Sequence, residues 1–255
     1  MLKLNPLGDS DLKLSLLGLG TVKFGRNTEV KYPESFEIPS MDKIIDLLNL
    51  ARSLGINTLD TAPAYGDSEI KLGEIFKKHL KRQDWVIITK AGEEFTNNQS
   101  FYNFDANYIN NSINKSLKNL GASYIDIFLI HSDGSDEKIA NDDKLWTILE
   151  QRKQMGDIKA FGVSSKTIHG GLECLKRSDL AMVTYREDYQ DELPLLDYAL
   201  ANNKGIILKK VLNSGHLKKS SQENLRFSAS HPAVTSMIIG TINPKHLTDN
   251  VKDLS

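Results

Sequence analysis

The sequence predicts an α/β protein built as a single-domain (β/α)8, or TIM, barrel, and three observations carry that prediction. Eight short runs rich in β-branched and aliphatic residues recur along the chain, each followed by a turn and a longer amphipathic segment. The runs are almost continuously apolar, as parallel strands covered on both faces must be. Spreading 255 residues over eight units leaves about 32 residues for each strand, turn and helix, the spacing of a closed barrel.

In order, the strands are read at "LSLLGLG" (about 15–20), "NTLDT", "VIITK", "IDIFLIH", "AFGVSS", "AMVTYR", "GIILKK" and "SMIIGT". Helices are expected at "MDKIIDLLNLARSLG", where Ser40 can cap the start and Gly55 the end. Others are expected at "SEIKLGEIFKKHLK", "ANYINNSINKSLKNLG", "DKLWTILEQRKQMG", "LPLLDYALANN" and "PKHLTDNVKDL". Alternating strands and helices imply parallel pairing through right-handed crossovers. A doubly wound sheet is the rival architecture. The turn after the first strand argues against it: in "GLGTVKFG" the glycines are Gly18, Gly20 and Gly25, which misplaces the third glycine of a dinucleotide-binding fingerprint. Residues 23–40 lack periodicity and read as an insertion after the first strand, on the face where barrel active sites form.

Thirty-two basic side chains against 33 acidic ones leave a net charge of -1, which offers nothing to nucleic acid or an anionic membrane. The longest apolar stretches are too short to span a bilayer, and the N-terminus lacks the apolar stretch of a secretion signal. Cys174, the single cysteine, excludes an internal disulfide and suits a reducing compartment. In its "LECLKR" setting it reads as a small core residue on a helix. A cytoplasmic protein is expected, with its oligomeric state unassigned.

Barrel chemistry gathers at the C-terminal ends of strands. Three successive strands there end in ionisable groups, Asp60, Lys90 and His131, and Tyr65 follows in the loop "LDTAPAYG". Each has a bland role available: Asp60 could cap a turn, Tyr65 could be a wet-edged aromatic, and His131 a satisfied core histidine. A lysine closing an apolar strand must be paired or emerge in a cavity. Together on neighbouring strands, the four form a candidate site. An ammonium beside a phenol favours the phenolate and should lower its pKa, with Asp60 orienting the lysine and His131 hydrogen-bonding a carbonyl oxygen. That set polarises a carbonyl and protonates the developing alkoxide. No side chain supplies hydride, so a nicotinamide is implied. No metal site is expected.

These residues, with "LGLGT", "LGINTLDTAPAYG" followed by "SEIKLG", "VIITKAG", "YIDIFLIH", "GDIKAFGVSS" and "VTSMIIGTINPKHLTDNV", resemble the aldo-keto reductase superfamily along nearly the whole chain. The resemblance implies a (β/α)8 barrel that reduces small aldehydes or ketones with a nicotinamide cofactor, NADP(H) ahead of NAD(H). It implies Tyr65 as general acid, Lys90 and Asp60 as the pair that tunes it, and His131 as the group orienting the carbonyl. It implies cofactor contacts from Gly20, Thr21 and Asp60 near the first strands, and from Ser164 and Ser165, the latter replacing an asparagine, at the carboxamide. Gly240, Thr241, His246 and Asn250 fall at the adenosine end. Further positions depart from the family pattern. Met182 replaces a glutamine, Lys209 replaces the aromatic residue that stacks on the nicotinamide, and the basic pair for a 2′-phosphate falls on Gly240 and His246. A cation at Lys209 favours neither the oxidised cofactor nor strong stacking. The chain also stops soon after the last helix and the loops after His131 and Lys210 are short, so an open substrate mouth is expected.

Two other readings of the same residues remain. Lys90 could be the nucleophile of a Schiff-base aldolase, although a nearby carboxylate opposes this. The barrel could instead be a non-catalytic nicotinamide sensor or partner-binding subunit, which the changes at Met182 and Lys209 would suit.

Overall fold

Eight parallel strands close into a barrel in the computed structural model, which describes residues 2–216 and 220–254. They are β1 (Leu17–Gly20), β2 (Thr58–Asp60), β3 (Val86–Ala91), β4 (Ile125–His131), β5 (Ile158–Ser164), β6 (Leu180–Thr184), β7 (Gly205–Lys209) and β8 (Val234–Ile239). The ring closes where Ile238 of β8 pairs with Gly18 of β1. Each strand is followed by a main outer helix: α1 (Met41–Ser53), α2 (Ser68–Lys78), α3 (Ala106–Leu120), α4 (Asp143–Gln154), α5 (Ile168–Lys176), α6 (Leu193–Ala201), α7 (Ser221–Ser230) and α8 (Pro244–Lys252), with short helices Val22–Gly25 and Asp136–Ala140 preceding α1 and α4. The expected (β/α)8 architecture is the one observed.

The α1 segment folds as its pattern requires. Ile44, Leu47, Leu48 and Ala51 are buried on one stripe, the spacing of a helix face turned to a core. The Ser40 hydroxyl accepts from the Lys43 N–H, and the chain leaves the helix through Gly55 at a φ of 88°. Ile56 N–H then returns to the Ala51 carbonyl, closing the helix end.

Side chains alternate along each strand and divide the core in two. One cluster fills the space between barrel and helices, with Ile87 and Phe128 among its members. The other fills the barrel interior and includes Val86, Ile88, Ile127, Leu129, Ala160, Leu180, Met182 and Ile207. Leu7, Leu12 and Leu14 join the interior cluster. They come from a hairpin of Leu4–Pro6 and Lys13–Ser15, which plugs the end opposite the site.

A second hairpin, Glu93–Thr96 with Gln99–Tyr102, rises from the end of β3. Its two-residue turn is Asn97–Asn98, both at positive φ, the geometry that matches strand twist and that asparagine tolerates. Neither hairpin was expected from the sequence, because each strand is too short to show alternation. Helix α7 also escaped the apolar pattern, since only Leu225 among its buried residues is apolar. Its readable signal is the capping box: Ser220 and Glu223 bond reciprocally to each other's backbone N–H.

Candidate active site

Strand parity assembles the site. Asp60, Lys90 and His131 continue the inward rows that hold Thr58, Val86 and Ile88, and Ile127 and Leu129, and all three line one cleft at the C-terminal rim. Register sets their heights: Gly20 pairs with Asp60, Lys90 with Leu129 and His131 with Ser164.

Lys90 is 1% exposed and Asp60 4%, so both charged groups sit under the floor of the cleft. The Lys90 ammonium donates to Asp60 Oδ1 at 2.5 Å, to the Thr61 carbonyl at 2.9 Å and to the Tyr65 hydroxyl at 3.2 Å. These three acceptors use its three protons. The Tyr65 hydroxyl in turn faces Asp60 Oδ2 at 3.5 Å. Burial pushes the Asp60 carboxyl above the usual carboxylate range, against the pull of Lys90.

Tyr65 ends a 3-10 turn, Pro63–Tyr65, and two glycines permit its position. Gly66 follows at a φ of 61°, and a Cβ there would collide with the Gly25 carbonyl. A Cβ on Gly25 would collide with the Tyr65 carbonyl and the backbone nitrogens of Asp67 and Ser68. The insertion after β1 can therefore lie directly against the turn that carries the phenol.

The phenol departs from the sequence expectation. Its pKa is held well above the ordinary tyrosine value, by burial first and then by the negative charges of Asp60 and Glu93. Lys90 does not dominate because Asp60 already neutralises it at 2.5 Å. The result is a phenol that keeps its proton in the free protein.

His131 stands edge-on to Tyr65, with ring centroids 6.4 Å apart and planes at 88°. Burial, reinforced by the nearby cations Lys90, Lys209, Lys166 and Arg26, holds its pKa well below the ordinary histidine value. Its imidazole is neutral at physiological pH. Glu93, on the second hairpin, brings Oε2 to 3.1 Å from His131 Nδ1, but too skewed to satisfy that nitrogen as a hydrogen bond. Glu93 was not anticipated, because nothing in "AGEEF" shows that the chain turns back over the histidine.

The cleft has a volume of about 710 Å³ and extends from this cluster to the start of α8. Gly20, Ser164, Met182, Lys209, Gly240, Thr241, His246 and Asn250 all line it, as the resemblance implies. Thr21 and Ser165 do not. Each sits one residue past an inward position, so its side chain points away from the cleft. The Thr21 hydroxyl bonds the Asp60 carbonyl at 3.0 Å and Ser68 Oγ at 2.7 Å, which ties the ends of β1 and β2 together. Ser165 Oγ is buried without a hydrogen-bond partner, beside Gly171 of α5.

The insertion after β1 contributes to the mouth of the cleft. Tyr32, Pro33 and Glu34 of the insertion line the cleft, and Lys23 Nζ lies 3.9 Å from the centre of the Tyr32 ring. The Lys31 carbonyl reaches His216 Nε2 at 3.3 Å, across the cleft from its own strand. The loop after Lys210 is described up to His216, and residues 217–219 of it lie outside the described residues.

The donor set fits a dinucleotide. A cleft of this size offers polar groups at both ends, Ser164 and Lys209 beside the ionisable cluster and Thr241, His246 and Asn250 at α8, with Gly20 and Gly240 on its wall. Among the described residues no group of His, Cys, Asp and Glu could hold a metal, and no helix is long and apolar enough to cross a membrane.

A barrel whose rim holds a buried carboxylate–ammonium pair against a phenol, beside a long polar-ended cleft, defines a class of carbonyl oxidoreductase. The aldo/keto reductase family model matches residues 16–226, and the chain belongs to that family. It is similar to PA4992 of Pseudomonas aeruginosa, assigned to the aldo-keto reductases, at 42% identity and a TM-score of 0.88, covering 98% of this chain and 94% of that one. The holo form of aldo-keto reductase AKR11C1 from Bacillus halodurans shares the fold, at 22% identity and a TM-score of 0.85 over 100% of this chain and 91% of that one. Among curated relatives, the uncharacterised oxidoreductase YqkF of Bacillus subtilis is 27% identical over 96% of this chain and 89% of its own length. The NADH-specific methylglyoxal reductase of Escherichia coli is 29% identical over 77% of this chain and 60% of its own. Relatives of this kind support an oxidoreductase acting on carbonyls.

Proposed function

We propose that the protein reduces small aldehydes or ketones to alcohols, with Tyr65 as the proton donor and a nicotinamide dinucleotide held along the cleft. One observation carries the reading: a single buried ammonium, Lys90, contacts both the Asp60 carboxylate and the Tyr65 hydroxyl on the wall of that cleft. When bound, the nicotinamide supplies the hydride. The chain supplies the rest. Neutral His131 can donate one hydrogen bond to the substrate carbonyl without adding a charge. Tyr65 keeps its proton until negative charge builds on the carbonyl oxygen, then releases it to the alkoxide. Lys90, fixed by Asp60 and Thr61, stabilises the phenolate left behind.

Ser164 and Lys209 would hold the nicotinamide end, and Gly240, Thr241, His246 and Asn250 the adenosine end. Asp249 and Asp253 also line that far end; Asp249 is ion-paired with Lys245 at 3.4 Å, and the Asp253 carboxylate disfavours a 2′-phosphate and can accept from a ribose hydroxyl. This turns the preference expected from sequence towards NAD(H), a preference also named for the Escherichia coli relative. The Schiff-base reading of Lys90 is disfavoured by Asp60, whose carboxylate engages that side chain in a buried ion pair at 2.5 Å.

The test is Tyr65→Phe. Its turnover of a panel of simple aldehydes should fall by about 10²–10⁴-fold, while calorimetric affinities for NADH and NADPH stay within a few-fold of wild type. Wild-type turnover in the variant sinks the acid assignment. Tight dinucleotide binding by the wild type with no turnover across the panel would favour the sensor reading.

A further inference from the structure

Lys209 is a second, half-buried lysine on the cleft, and the chemistry assigned to Tyr65 and Lys90 does not use it. It ends β7 on the inward row that begins with Ile207. Its ammonium donates to Ser164 Oγ at 3.0 Å and to the Ser165 carbonyl at 2.5 Å. Both acceptors are neutral, and among the described residues no carboxylate comes within ion-pair distance of it. Lys90 has a carboxylate at 2.5 Å; Lys209 has none. Its third proton is left for the cleft.

The charged groups around it come from several elements. Glu192, just before α6, and Asp136, which opens the short helix Asp136–Ala140 after β4, favour the ammonium; Lys210, just past the end of its own strand, and Lys166 after β5 oppose it. Ser164, which Lys209 contacts, is the register partner of His131, which places Lys209 at the end of the cleft where hydride transfer would occur; Asp60 and His131 both feel its charge. Burial is the largest influence and brings its pKa down to about 7.

Resting on the dinucleotide reading above, we propose that Lys209 sets the cleft's preference between the two redox states of its cofactor. An oxidised nicotinamide ring carries a positive charge and a reduced ring carries none. An ammonium without a counter-ion, fixed at that end, repels the first and tolerates the second. The reduced form is retained, the oxidised form is expelled after turnover, and the charge can be switched off by deprotonation near neutral pH.

The test measures equilibrium dissociation constants for oxidised and reduced NAD by isothermal titration calorimetry between pH 6 and pH 9, without substrate. In the wild type the ratio of oxidised to reduced constants should fall about tenfold across that range, because one unit of charge is removed beside the ring. In Lys209→Met the ratio should sit at the low value and be flat with pH. In Lys209→Arg it should stay high throughout, since arginine does not lose its proton. A flat wild-type ratio, or one that Lys209→Met leaves unchanged, overturns the proposal while leaving the dinucleotide reading intact. Failure of the wild type to bind either form overturns that reading, and this proposal with it. The wild-type titration stands alone if Lys209→Met does not fold.

Discussion

Lys90 and Asp60 meet at 2.5 Å with almost no water on either side. Such a pair is costly to desolvate and more costly to break. Removing one partner by Lys90→Met should destabilise the fold by roughly 3–5 kcal/mol at neutral pH, read from urea unfolding midpoints. The Asp60 carboxyl, already raised by burial, rises further once the ammonium is gone. A raised carboxyl binds its proton more tightly folded than unfolded, so the deficit should grow as pH rises above the ordinary aspartate range and shrink in acid. Asp60→Asn combined with Lys90→Met should recover part of the loss. No recovery would mean that the pair is not coupled.

His131 makes the opposite contribution at low pH. Its folded pKa lies well below the ordinary value, so the unfolded chain takes up a proton that the folded one refuses. Stability is therefore full above the ordinary histidine pKa and is lost as pH falls below it, with a slope of at most about 1.4 kcal/mol per pH unit for one proton. His131→Gln should flatten that limb of a stability–pH curve measured between pH 5 and pH 8. An unchanged limb would assign it to another group.

Gly25 and Gly66 are in backbone contact beside Tyr65. Gly25→Ala must push the insertion after β1 away from the phenol, and displacements of about 1 Å commonly cost about 100-fold in rate. We expect kcat for a simple aldehyde to fall by that order with a smaller change in dinucleotide affinity. Equal losses in both would point to general unfolding of the rim.

Cys174 is fully buried on α5, and burial drives its thiol up to about 12. The thiolate is the reactive form, so the native protein should resist iodoacetamide for hours at pH 8 and label stoichiometrically in urea. Rapid native labelling would show that α5 opens.

The eight strands were legible because both faces of each are covered, so apolarity alone marks them. Once they were placed, side-chain alternation, a property of the extended backbone and of nothing else, put Asp60, Lys90, His131, Ser164 and Lys209 on the inside. The same alternation argues against cleft-facing roles for Thr21 and Ser165, which motif matching alone had suggested. The short hairpins left no such trace, and neither did Glu93 beside His131 or Tyr32 over the cleft, since these contacts join segments that have no periodic pattern of their own.

Sequence by itself determined the barrel and the inward row of ionisable groups, because secondary structure and facing are set by neighbours a few residues apart. Tertiary structure decided which way the Tyr65 and His131 protons are held. Burial and charge act through space, and the groups that sum at one phenol oxygen come from β2, β3 and the hairpin beyond it.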